Sequence, residues 1–171
     1  MVQRILKGHE PHPALAIDRH WNLVLHNDAV LPLMAGIDPA LRVPPVNVLR
    51  LSLHPMGLAP RVRNFRECRA HVIARLIRQI DNSADTTLIA LLEELKAFPV
   101  PDGARPYAAA AHAGPAIAVP LQLEMGGTVL SFLSTTTVFG TALDINLSEL
   151  AIESFFPADE ATAAAMRAML P

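Results

Sequence analysis

The sequence predicts an α+β domain, and three observations carry that prediction. Runs of alternating apolar and polar residues lie toward both ends of the chain, at 14–26 and 117–138. A wide apolar stripe at helical spacing runs from Phe65 to Ile80 in the middle. Gly126-Gly127 sits between two of the alternating runs as a hairpin turn. Along the chain the predicted order is ββ-αααα-βββ-α.

Residues 1–12, with Lys7, Gly8, His9, Glu10 and Pro11, read as a short helical end and a linker. Leu15 and Ile17 alternate with Ala14 and Ala16, and Trp21, Leu23 and Leu25 with Asn22 and His26, so two half-buried strands flank a turn at Asp18-Arg19-His20. Asn27 or Asp28 is placed to cap a following helix that stops near Gly36. Beyond Pro44-Pro45, Asn47 caps a short helix over Val48 to Leu53, apolar on nearly every face and therefore buried, which ends at His54-Pro55.

The longest helix spans about Asn64 to Ile80, with Phe65, Cys68, Val72, Ile73, Leu76, Ile77 and Ile80 in one stripe, closed by Asp81-Asn82-Ser83. A fourth helix, capped at Ser83 or Asp85, buries Leu88, Leu91, Leu92 and Leu95. Prolines, glycines and alanines from Phe98 to Pro115 predict a long loop. Ile117 to Leu123 and Thr128 to Val138 form the hairpin around Gly126-Gly127. Leu150, Ile152, Ser154 and Phe156 alternate with Glu149 and Glu153 in a last strand, and Asp159 caps a helix running to Met169.

Composition narrows the function. The 171 residues suffice for one domain with a real core. Half of them (51%) are apolar, which calls for a cavity or a dimer interface to take up the surplus. A net charge of −2, with arginines dispersed, leaves no electrostatic footprint for nucleic acid. No apolar run approaches the roughly 20 residues of a membrane span, and the single Cys68 suits a reducing compartment, so the expected location is the cytoplasm.

The stretch Ala14 to Asn27, with Asp18-Arg19 and Trp21-Asn22, resembles the entry of a PAS-like sensor domain. Together with Asn47-Val48-Leu49-Arg50-Leu51 and the stripe from Asn64 to Leu76, it resembles the MmyB-like ligand-binding domain of helix-turn-helix transcription regulators of the xenobiotic-response-element type. That resemblance implies one five-stranded antiparallel sheet covered on one face by helices, and a hydrophobic, fatty-acid-like ligand held between the two layers. It also implies contact with DNA only through a helix-turn-helix ahead of the linker, absent from this sequence, with residues 13–171 as the ligand-binding domain; a homodimer is expected from the apolar surplus. The family often has a tryptophan early in the long helix, where this chain has Phe65 and Cys68, and the loop 98–115 is richer in proline than the family suggests.

Arg69 stands out because it shares a helical face with Phe65, Val72, Leu76 and Ile80. It is a candidate anchor for a ligand carboxylate, against the plainer reading of a side chain snorkelling at the stripe's edge or pairing with an acid. Arg50, carried over from the family pattern, sits on the short buried helix and is a candidate for the same anchoring role, against the plainer reading that it holds a neighbouring loop by its carbonyls. Thr136, on the face of Phe132 and Val138, is a candidate polar wall or simply a good strand former. The expected ligand-binding set is Arg69, Arg50, Phe65, Val72, Leu76, Leu51, Leu121, Phe132 and Thr136. His9 with His12, and His20 with His26, lack acidic or cysteine partners at ligand spacing, so no metal or cofactor is expected. No Gly-x-Ser-x-Gly elbow, phosphate loop or paired acid and base is present, which argues against an enzyme. The expected function is a small-molecule sensor; a ligand-free dimerisation module and a small hydrolase or isomerase are the alternatives.

Overall fold

A computed structural model of the chain describes residues 1–107, 119–138 and 150–169. Helix α1 (Val2–Gly8) leads into the antiparallel strands β1 (Ala14–Ile17) and β2 (Leu23–His26). Two 3₁₀ turns (Asp28–Met34 and Pro39–Arg42) reach helix α2 (Val48–Leu53), and a third (Ala59–Arg61) precedes α3 (Phe65–Ser83) and α4 (Thr86–Ala97). Strands β3 (Leu121–Met125), β4 (Thr128–Val138) and β5 (Ala151–Pro157) and helix α5 (Glu160–Met169) follow. The result is the expected α+β architecture, one five-stranded antiparallel sheet in the order β2-β1-β5-β4-β3.

Register gives the sheet two unlike faces. Leu15 opposes Glu153, Thr136 opposes Glu153 from the other side, Ser134 opposes Phe155 and Leu121 opposes Phe132, so these side chains share the face that meets α2, α3 and α4. Ala14, Ala16 and Ile152 lie on the reverse, where the fully buried Leu6 of α1 packs on them. The main core joins Trp21, Leu49, Leu53, Phe65, Leu76, Leu88, Leu91, Leu92 and Leu95 to Leu123, Leu130, Phe132 and Met166.

Caps explain most helix starts. Asn47 Oδ1 accepts from Arg50 N (3.1 Å), Asp85 Oδ1 from Thr87 N (2.8 Å) and Asp159 Oδ1 from Thr162 N (2.7 Å), as the sequence predicts. Helix α3 runs through Ser83, three residues beyond the expected Ile80, and ends where Ala84 turns left-handed (φ 51°).

Several expectations need correction. The segment after Asn27 is a 3₁₀ turn, because Pro32 lies inside it and has no amide to donate. Asn27 caps nothing; its Nδ2 donates to Leu6 O (3.0 Å) and His12 O (2.8 Å), and its Oδ1 accepts from Ala14 N (3.1 Å), fastening α1 to β1. Trp21 is in the turn instead of the strand, at φ 68°. Strand β3 starts at Leu121, since Val119 and Pro120 pair with nothing regular; Ile117 and Ala118 lie outside the described residues, as does Glu149. Strand β5 buries Ile152 and Glu153 alike, because both of its faces are covered. Of the long loop, 98–107 is irregular as expected and the remainder lies outside the described residues.

Gly57 closes the turn after α2. A Cβ built there would stand 2.2 Å from the carbonyl oxygen of Leu51, a backbone atom that cannot swing aside and that accepts from Leu58 N. Gly57→Ala is expected to lower stability by about 2 kcal/mol, read as a shift in the urea midpoint with an unchanged slope.

Candidate functional site: an apolar chamber with a paired charge at one end

Between α2, α3 and the helix-facing side of the sheet lies a cavity of about 170 Å³. Its walls are overwhelmingly apolar: Leu49, Leu51 and Leu53 from α2, Phe65 and Val72 from α3, and Leu121, Leu123 and Phe155 from the sheet contribute to them. Apolar cavities of roughly 150 Å³ stay dry and take up guests such as benzene, so this one has room for a ring or a short aliphatic segment. The short apolar helix α2 forms one wall because it has no polar side to turn outward.

Polar groups gather at one end. Arg75 of α3 donates from Nη1 to Glu153 Oε1 (2.6 Å) and from Nη2 to Thr136 Oγ1 (2.8 Å), and its guanidinium lies 4.4 Å over the Trp21 ring. Thr136 Oγ1 in turn donates to Glu153 Oε1 (3.2 Å). Trp21 is held in its left-handed conformation by the Asp18 turn, by Val48 N donating to its carbonyl (2.9 Å), and by its own Nε1 donating to Gln79 Oε1 (2.8 Å). A buried tryptophan at positive φ is uncommon and costs backbone energy that these contacts offset. His71 and Ser134 complete the polar rim. Partial burial, then the neighbouring Arg75 and Arg78, push the His71 imidazole below its ordinary range.

The nine residues expected from sequence divide. Phe65, Val72, Leu51 and Leu121 line the chamber. Leu76 and Phe132 are fully buried in the surrounding core without facing the cavity, and Thr136 reaches its end through Arg75 and Glu153. Arg50 makes a two-pronged ion pair with Glu94 of α4 (2.5 and 2.8 Å), which holds the Glu94 carboxyl below its usual range. Arg69 donates to Lys96 O (2.6 Å) at the end of α4, away from the cavity.

The α3 stripe has two edges. On an ideal helix Arg69 falls about 40° to one side of Phe65 and Arg75 about 80° to the other. The first edge meets α4 and the second meets the sheet, so the arginine beside the chamber is Arg75. The signal for it was present: Phe65, Cys68, Val72, Arg75 and Gln79 form a seam in steps of three and four. Glu153 was hidden because alternation in β5 assigned it to solvent.

Cys68 lines the chamber, with Sγ donating to Asn64 Oδ1 (3.4 Å), and burial pushes its thiol up to about 12. Alkylation of the folded protein by iodoacetamide at pH 8 is therefore expected to be at least about a hundredfold slower than of the urea-unfolded chain, read by mass spectrometry. The histidines are otherwise engaged: His20 pairs with Asp85 (2.8 Å), and His9 and His12 pack on Phe156. Among the described residues no His, Cys, Asp and Glu cluster has the arrangement of a metal site, and no helix is long and apolar enough to cross a membrane.

An α+β domain that holds a largely apolar chamber between its helices and its sheet has the form of a small-molecule-binding domain. More particularly, the chain belongs to the MmyB-like transcription regulator ligand binding domain family, which matches residues 1–169. No curated protein matches the sequence. The family is one of regulatory ligand-binding domains of transcription regulators.

Proposed function

We propose that the chamber is the sensing site for a hydrophobic small molecule with a fatty-acid-like aliphatic body, and that its occupancy sets the state of an attached DNA-binding module. The observation that carries this is an apolar cavity at the junction of α2, α3 and the sheet, where a guest touches all three at once. Filling it favours one packing of the helices on the sheet, and the change in population is the signal. The proposal includes a cytoplasmic homodimer whose geometry carries that signal to DNA; the exposed Val24 and Leu25 on edge strand β2 support a second chain pairing there.

Denaturing extraction of the purified protein followed by mass spectrometry is expected to release an aliphatic compound. Restoring a binding guest to about 100 times its Kd should stabilise the protein by about 2.7 kcal/mol, a rise of roughly 5–10 °C in Tm. A protein that releases nothing, and whose Tm no aliphatic probe moves, overturns the proposal.

A further inference from the structure

The described walls of the chamber are buried at one end and exposed at the other. Phe65, at the start of α3, is buried together with Leu49, Leu51 and Leu53 of α2, whereas His71 further along α3 and Ser134 of β4 are exposed. Arg75 lies at this second end, one turn beyond His71, and is the one arginine or lysine among the described lining residues. It stands ten residues after Phe65, so about 15 Å of helix separates the two ends. The Arg75 side chain is 30% exposed. Of the five N–H groups of a guanidinium, Nη1 gives one to Glu153 and Nη2 one to Thr136, which leaves Nε and a second hydrogen on each Nη without a partner among the described residues.

We infer that the guest is an aliphatic monocarboxylate lying tail inward along α3, with its ionised head held by Arg75 at the exposed end. The inference rests on the chamber being the sensing site, and it adds the residue that reads the head and the direction in which the guest lies. At the Phe65 end an ionised head would surrender its hydration to leucine and phenylalanine side chains that return nothing. At the Arg75 end it meets charge-assisted donors in a planar fork, and the exposed rim leaves the rest of the head in water. His71 adds the one N–H of a neutral imidazole. Glu153, 8% exposed on the sheet, acts as a positioning residue: with the Trp21 ring it keeps the guanidinium at the chamber instead of in bulk solvent. The guest needs only the N–H groups that Glu153 and Thr136 leave, and near water the repulsion between the two carboxylates is weakened by the high dielectric. Arg69 cannot take this part, since it is bonded to Lys96 O at the end of α4.

Isothermal titration of the whole chain at pH 7.5 with octanoate and octan-1-ol tests this. Octanoate is expected to bind at least about tenfold more tightly than the alcohol. Arg75→Gln should remove that preference, octanoate losing at least about tenfold while octan-1-ol changes by less than about threefold. Octan-1-ol binding the unsubstituted chain as tightly as octanoate overturns the inference and leaves the chamber standing as a sensing site. So does a folded R75Q that keeps the preference, or one that weakens both guests alike, as a purely structural role for Arg75 would require. Failure of both guests to bind the unsubstituted chain overturns the sensing site as well. R75Q leaves the Glu153 carboxylate without its partner, so R75Q/E153Q, which carries neither charge, replaces it if the single variant does not fold, with the same selective loss expected. If neither folds, the comparison on the unsubstituted chain decides the matter.

Discussion

Phe65→Ala is expected to destabilise the domain by about 3–5 kcal/mol, the range for deleting a fully buried phenylalanine whose surroundings relax only in part. Phe65 is at the first turn of α3, joins the main core and forms a wall of the chamber. Its removal therefore withdraws packing from the core and enlarges a cavity that already exists, and both effects have one sign. Chemical denaturation measures the loss. The same variant carries a signature that ordinary core damage lacks: a small apolar guest such as benzene should recover part of the stability by occupying the added volume. A loss below about 1 kcal/mol would mean that the site collapses and that Phe65 supports neither core nor chamber.

Asn27→Ala should cost about 3 kcal/mol, although the side chain is polar and has no part in the chamber. The residue is 1% exposed and makes three hydrogen bonds that join α1, the segment before β1, and β1 itself. Leu6 O retains His9 N as a donor, whereas the described bonds give Ala14 N and His12 O no replacement for Asn27. Two orphaned backbone groups at about 1–3 kcal/mol each set the magnitude. The loss should be accompanied by faster amide exchange in α1, since the helix would then be held chiefly by Leu6 on Ala14, Ala16 and Ile152. Unchanged exchange in α1 would show that the latch is dispensable.

These two residues illustrate what could be read without coordinates. Phe65 was legible because burial of an amphipathic helix is written in the spacing of its apolar residues, a local property. Asn47, Asp85 and Asp159 were legible as caps for a similar reason: each acts on amides two or three residues away. Asn27 shows the opposite. An asparagine ahead of an apolar run reads as a cap, yet its partners at Leu6 and His12 lie before it in the chain and are brought near only when α1 folds back on the sheet.

The chamber divides in the same way. Its greasy walls at Phe65, Val72, Leu51 and Leu121 followed from hydrophobic pattern and from the family likeness, whereas its charged end did not. Arg69 and Arg75 are both arginines on one helix, and periodicity alone ranks the first as the more central. Choosing between them requires knowing which edge of α3 meets α4 and which meets the sheet.

By itself the sequence determined the α+β class, the order of the strands and of the longer helices, the caps at Asn47, Asp85 and Asp159, the family and the apolar nature of the interior, because each depends on residues close together in the chain or on composition. Only the tertiary structure decided that Arg75 and Glu153, 78 positions apart, meet at 2.6 Å over Trp21. Charge pairing depends on distance in space, and local spacing along the chain carries no information about which strand a distant helix will face.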